Sequence, residues 1–338
     1  MILKRMGGVL CCAAIIVLCV VWKTHRTDDP ADAGAKMVFT YAENQTEDYP
    51  TTQGAHKFAE LVNERTGGRI EIQVRAGGAL GDERAVIEQI QFGGIDFARV
   101  SLSPLADSIP KLNVLQMPYL YTGADHMWAV LEGPTGDDFL NSFAGSDMVA
   151  LSWYDAGARN FYNSVRPVES LEDMEGMLIR VQESELMLEM VEALGARSTQ
   201  TPYGEVYSGL QTGQIDGAEN NWPSYESTGH YEVAKYVTID EHTRVPEVQL
   251  CSQSTWDSLT EEDRLIIREC AVQSALYERE VWAEREKISE AAVRAAGCEV
   301  VELPPAEKER FRQVMIPVYE KFCADYMDII DQITAAGR

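Results

Sequence analysis

The chain has 338 residues and a formal net charge of −25, from 54 acidic against 29 basic side chains. A composition of 45% hydrophobic and 25% charged residues is that of a globular protein, at a length that supports two sizeable cores. The acidic balance argues against nucleic-acid binding, which needs a basic face, but leaves room for a local positive pocket that takes an acidic ligand.

Lys4 and Arg5 precede an apolar run over residues 9–22. The run is short for a transmembrane helix and suits a secretory h-region. Ala31-Asp32-Ala33 and Ala33-Gly34-Ala35 have the form of cleavage signals but stand well past that run. Residues 1–35 therefore read either as a cleaved signal peptide or as a retained N-terminal anchor, and in both cases the body of the chain is exported. Cys11, Cys12 and Cys19 lack the small-residue context of a lipoprotein signal. In the body, Cys251, Cys270, Cys298 and Cys323 form no C-x-x-C pair, which argues against zinc and thioredoxin chemistry and for buried free thiols.

In chain order, residues 38–43 read as a strand, and Pro50 leads into a helix stopped by Gly67-Gly68. The alternation of residues 69–74 predicts the next strand. Leu80-Gly81-Asp82-Glu83 opens a helix with carboxylates in its first turn, and residues 95–100 form a third strand. Strand and helix alternating at this spacing predict a parallel sheet with right-handed crossovers. Helices over 126–131 and 135–143 and a strand over 148–154 follow, and Asp155-Ala156-Gly157-Ala158 reads as a crossing between domains. The segment Gln91-Phe92-Gly93-Gly94-Ile95-Asp96 recurs as Gln211-Thr212-Gly213-Gln214-Ile215-Asp216, which points to two similar α/β halves. Strands at 247–252 and 298–303 and a last helix over 307–325 complete the layout. Between Thr260-Glu261-Glu262-Asp263, an acidic capping box, and Gly297 there is no proline or glycine. One uninterrupted helix over 261–296 would be about 54 Å long, a strut shared by two domains, unless it breaks midway.

Leu178-Ile179-Arg180-Val181-Gln182 places a lone arginine in an apolar strand just before a helical stretch. Ligands of α/β proteins collect at the carboxyl ends of such strands, and a guanidinium fits a carboxylate bidentately. Arg180 is thus a candidate receptor for a small organic acid. By spacing alone, a pair with an internal Asp or Glu explains it equally well.

The ordered set of motifs resembles the substrate-binding proteins of tripartite ATP-independent periplasmic (TRAP) transporters, the DctP type, over most of residues 37–330. The set includes Arg65-Thr66-Gly67-Gly68-Arg69-Ile70, Met117-Pro118-Tyr119-Leu120, Ile179-Arg180-Val181-Gln182, Asp216-Gly217-Ala218-Glu219-Asn220 and His230-Tyr231-Glu232-Val233-Ala234-Lys235-Tyr236. The resemblance implies an α/β, two-domain periplasmic-binding-protein clamshell with a long helix spanning both domains. On that layout, residues 37–156 plus 246–285 form one α/β domain and residues 157–245 plus 286–330 the second. The family's carboxylate-binding arginine falls on Arg180, a second arginine on Arg159, the ligand-facing asparagine on Asn220 and a ligand-packing aromatic on Tyr203. Further matches fall on Glu43, Glu83 and Ser101 in the first domain.

The resemblance also implies a monomeric, non-enzymatic receptor in the periplasm or on the outer face of the cytoplasmic membrane. It works without metal or cofactor and delivers an organic acid to the small and large TRAP membrane subunits. Glu43 and Glu83 are poor neighbours for a second ligand carboxylate but good acceptors for hydroxyls, so a sugar acid such as a hexuronate is expected ahead of a C4-dicarboxylate. Readings of another class are a secreted enzyme acting on carbohydrate acids and a sensor module. Against an enzyme, no G-x-S-x-G, H-E-x-x-H or phosphate loop occurs, and His25, His56, His126, His230 and His242 form no ligand spacing.

Overall fold

The computed structural model describes residues 36–337. The signal or anchor segment and its three cysteines lie outside the described residues. Two sheets organise the chain. The first has the order β2-β1-β3-β10-β4, built from β1 (Met37–Ala42), β2 (Ile70–Arg75), β3 (Phe97–Ser101), β4 (Met148–Tyr154) and β10 (Glu247–Ser252). The second has the order β11-β9-β5-β8-β6-β7, from β5 (Arg159–Asn163), β6 (Leu178–Val181), β7 (Arg197–Gln200), β8 (Gly217–Asn220), β9 (Tyr236–Thr243) and β11 (Glu299–Glu302). We refer to the halves built on them as the first and second lobes.

The chain leaves the first lobe between β4 and β5 and returns between β9 and β10. The returning strand inserts antiparallel between β3 and β4, and β5 lies antiparallel between β8 and β9. Both sheets are therefore mixed. The parallel expectation holds for β1 with β3 and for β6 with β7 and β8, where helices supply the crossovers.

The repeated Q-x-G-x-I-D segment does the same job twice. Gly93 and Gly213 end their helices at φ 74 and 71, a left-handed conformation that glycine adopts without penalty. The aspartate three residues later then accepts a backbone N–H from the neighbouring parallel strand, Asp96 from Thr40 and Asp216 from Leu178, each at 2.8 Å.

The long helix runs unbroken over Glu261–Ala295. Thr260 accepts the Asp263 N–H at 3.1 Å, and Arg69 pairs with the Asp263 carboxylate at 2.5 Å. Its buried positions Ile267, Ala271, Ser274, Glu278, Trp282, Ser289 and Val293 recur mostly at four-residue spacing and make one stripe. That stripe packs on the helix Pro50–Arg65 and β4 in the first lobe, then on the helix Trp222–Ser227 in the second. Approach is close at Gly54, where an added Cβ would lie 2.8 Å from the Tyr154 ring and 2.9 Å from the Glu278 Cβ.

The single helix expected over 307–325 is instead two, Pro305–Gln313 and Ile316–Cys323. Pro317 lies in the first turn of the second, where its missing N–H costs nothing; a helix running through it would lose a bond. These C-terminal helices join the lobes. One apolar cluster runs from Val100 and Leu250 through Phe311, Met315 and Val318 to Ile179 and Val181. Cys251, Cys270 and Cys323 are buried free thiols, and Cys298 is partly buried.

Candidate functional site

A cavity of about 370 Å³ opens between the lobes. The second lobe contributes Arg159, Arg180, Tyr203 and Asn220 to its wall, and the first lobe contributes Asn44, Gln45, Glu83, Arg99 and Glu247. Tyr49, Ala156 and Trp282 line it as well, Trp282 coming from the long helix.

On the second-lobe wall, Arg180 is the third residue of β6 and 3% exposed. Its Nε and Nη2 donate to the Thr201 carbonyl at 2.8 and 2.5 Å, and it forms no ion pair with a carboxylate among the described residues. Burial pulls its pKa below the usual arginine range. Arg159 differs. Its Nε and Nη2 grip both carboxylate oxygens of Glu219, and its Nη1 donates to Asn220 Oδ1 at 3.0 Å. Glu219 is fully buried, which by itself would raise its pKa, but Arg159 and His242 outweigh burial and hold it at about 2. His242 is wedged between Glu219 at 3.3 Å and Asp240 at 3.0 Å, and it stacks on Phe161 at 4.2 Å. Burial opposes charge on this imidazole, but the two carboxylates prevail and raise it to about 9. Arg159, His242, Glu219 and Asp240 thus balance one another, and Arg180 is left as the unmatched cation of this wall.

On the first-lobe wall, Arg99, the third residue of β3, meets three carboxylates. Nε and Nη2 bind Glu43, while Nη1 donates to Glu83 at 3.2 Å and to Glu247 at 2.9 Å. Nη2 also reaches Asn44. Glu83 begins the helix Glu83–Gln91 and accepts the Ser101 N–H at 2.9 Å. The cavity is therefore bipolar, with a guanidinium lacking a carboxylate partner among the described residues on one wall and excess carboxylate on the other.

Of the residues expected from sequence, the structure brings Arg180, Arg159, Asn220, Tyr203 and Glu83 to the cavity wall and leaves Glu43 and Ser101 behind it. Glu43 is 2% exposed and spent on Arg99 and on the Gln45 N–H. Ser101 supports the wall indirectly, accepting from the Gln182 side chain at 3.1 Å. Arg99 and Glu247 are missing from the expected set. Phe97-Ala98-Arg99-Val100 has the same pattern as the strand around Arg180, and the same argument applied twice would have found Arg99. Glu247 has no such signal, because the direction of β10 brings it there.

Side chains also join the lobes around the cavity. The Tyr49 hydroxyl lies 2.7 Å from the Ser224 hydroxyl, and Tyr203 donates to Gln45 at 3.3 Å. Ser103 donates to Gln182 at 3.0 Å, and Arg84 pairs with Glu183 at 3.3 Å.

Two α/β lobes joined by crossing strands, braced by one helix and enclosing a bipolar cavity, define a clamshell solute-binding protein. Residues 41–325 match the family model for bacterial extracellular solute-binding protein, family 7, and the chain belongs to that family. A solute-binding protein of Chromohalobacter salexigens is 38% identical over 286 residues, covering 85% of this chain and 84% of the relative. Among solved structures, a TRAP periplasmic solute-binding protein from Bradyrhizobium sp. in complex with galacturonate is 41% identical, with a TM-score of 0.86 over 88% of this chain and 99% of that one. Another, from Pseudomonas putida with bound D-glucuronate, is 36% identical, with a TM-score of 0.86 over 88% and 97% of the two chains.

Proposed function

We propose that the protein is the extracytoplasmic receptor of a TRAP transporter. It captures a hydroxylated monocarboxylate, a hexuronate first, and passes it to the small and large membrane subunits without altering it. The observation that carries this reading is the Arg180 guanidinium, buried beside the cavity with the Thr201 carbonyl as its partner and no carboxylate partner among the described residues. A ligand carboxylate supplies the missing charge through a bidentate, charge-assisted contact. Asn220 and the Arg159 guanidinium add donors at its flank, and Tyr203 offers a face to an apolar patch of a sugar ring.

The opposite wall argues for hydroxyls at the other end of the ligand. Glu83 and Glu247 accept hydrogen bonds and repel a second carboxylate, which favours a uronate over a C4-dicarboxylate. The galacturonate and glucuronate of the two structural neighbours support the same class. Capture proceeds by closure of the two domains, residues 37–156 plus 246–285 against 157–245 plus 286–330, about the strands that cross between them. The receptor acts as an exported monomer.

A thermal-shift series with D-glucuronate, D-galacturonate, an aldonate and succinate tests the reading, because a ligand that binds only the folded state raises its melting temperature. A shift with uronates but not with succinate is expected. A shift with succinate alone would overturn the hydroxyl wall, and no shift with any acid would overturn the uronate assignment.

A further inference from the structure

The first-lobe wall carries more negative charge than its one cation balances. Glu43 occupies Nε and Nη2 of Arg99, so Glu83 and Glu247 must share Nη1. The three carboxylate side chains are 0%, 16% and 8% exposed, and only Glu83 and Glu247 line the cavity. Uncompensated charge in so dry a place is expensive, and carboxylates that share a site relieve the cost by retaining a proton.

Resting on the sugar-acid reading, we propose that Glu83 and Glu247 hold one proton between them before ligand binds, and that the hydroxyls of a monocarboxylate displace it to the solvent. Hydroxyl donors stabilise the ionised carboxylate, so each hydrogen bond gained from the ligand favours loss of the shared proton. The ligand's own carboxylate stays on Arg180, across the cavity. A dicarboxylate would do the opposite: its second carboxylate would be tolerated only if the pair kept its proton. The sign of proton exchange therefore separates the two ligand classes at this wall.

The groups around the pair are consistent with a shared proton. Arg99, Glu83 and Glu43 act on Glu247 from the first lobe, Arg159 faces it from the second, and Glu278 of the long helix and Tyr49 complete its surroundings. Glu83 feels Arg99, Glu43 and Arg180. Burial, only partly offset by Arg99, pushes Glu247 up to about 7 and moves Glu83 in the same direction.

Calorimetric titration with D-glucuronate near pH 7, in phosphate and in Tris, decides the matter because the two buffers take up protons with different heats. The expected result is a buffer-dependent enthalpy reporting release of a fraction of a proton, with affinity rising about tenfold between pH 6 and pH 8. Glu247→Gln should remove both effects. Equal enthalpies in the two buffers, with D-glucuronate bound, would overturn the shared proton and leave the receptor reading standing. Proton release that persists in both Glu247→Gln and Glu83→Gln would also overturn it. Absence of D-glucuronate and D-galacturonate binding would remove the sugar-acid reading and this inference with it.

Discussion

Arg99 and Arg180 make an instructive pair. Each is the third residue of a buried strand, in Phe97-Ala98-Arg99-Val100 and Leu178-Ile179-Arg180-Val181, and each is 3% exposed. Their fates differ entirely. Burial acts against both cations, but three carboxylates raise Arg99 well above the ordinary arginine range, whereas Arg180 falls below it. A strand pattern can place a guanidinium beside a cavity, but it says nothing of the counter-ion. That depends on residues that fold in from elsewhere: Glu43, Glu83 and Glu247 lie 56, 16 and 148 positions from Arg99. One arginine thus has its counter-ions folded in around it, while the other has only the Thr201 carbonyl and no carboxylate among the described residues.

Exchanging the two arginines for neutral residues should separate these roles most strongly. Arg99→Met strands three buried carboxylates and should cost about 3–5 kcal/mol of folding stability, read by urea denaturation. Arg180→Ala breaks no ion pair among the described residues, so its melting temperature should stay near that of the parent while ligand affinity drops by ~2–5 kcal/mol in calorimetry. Equal destabilisation by the two changes would break the contrast.

The next effect belongs to Arg159, the cation whose counter-ions are in place. His242 is raised from 6.5 to about 9 on folding, so its contribution is complete below pH 6.5 and fades as pH climbs through 9. Its worth is on the order of 3 kcal/mol, and denaturation midpoints for His242→Gln should lose most of that alkaline slope. Glu219 works in the other direction. Lowered from 4.5 to about 2, it stabilises above pH 4.5, and that share disappears as pH falls towards 2. An acid limb that is unchanged in Glu219→Gln would contradict this assignment.

The smallest effect should come from Tyr203→Phe. It removes the hydroxyl's bonds to Ser224 and, at 3.3 Å, to Gln45, so a loss of ~0.5–1.5 kcal/mol in ligand affinity is expected with the ring retained. A much larger loss in the binding isotherm would mean that the hydroxyl itself meets the ligand.

Local signals carried much of the fold. The glycine and proline punctuation marked the early strands and helices, and the run without helix breakers from Glu261 foretold the strut. The repeated Q-x-G-x-I-D segment predicted two like halves because the same turn and the same aspartate serve both. What stayed hidden depends on chain direction and distant partners. The antiparallel insertion of β10 follows from how the returning strand enters the first sheet, which no window of residues records. The same insertion delivers Glu247, so the acidic wall was only half legible, through Glu83. Glu43 and Ser101 had the right chemistry for a wall but are used one layer behind it, by Arg99 and Gln182. The last helix was misjudged because apolar spacing continues across Pro317 although the backbone ladder cannot.

The bridges over the cavity bear on timing. Tyr49 with Ser224, and Gln182 with Ser103, join protein to protein, so a captured molecule escapes only after bonds that it does not itself make are broken. Its dwell time is then set partly by the rim and not by affinity alone. Arg84 and Glu183 at that rim are 51% and 23% exposed, where added salt weakens an ion pair. Discharge should accordingly quicken with ionic strength in stopped-flow displacement, and that dependence should shrink in Arg84→Gln. A membrane partner that competes for the same rim contacts could hasten delivery without touching the ligand.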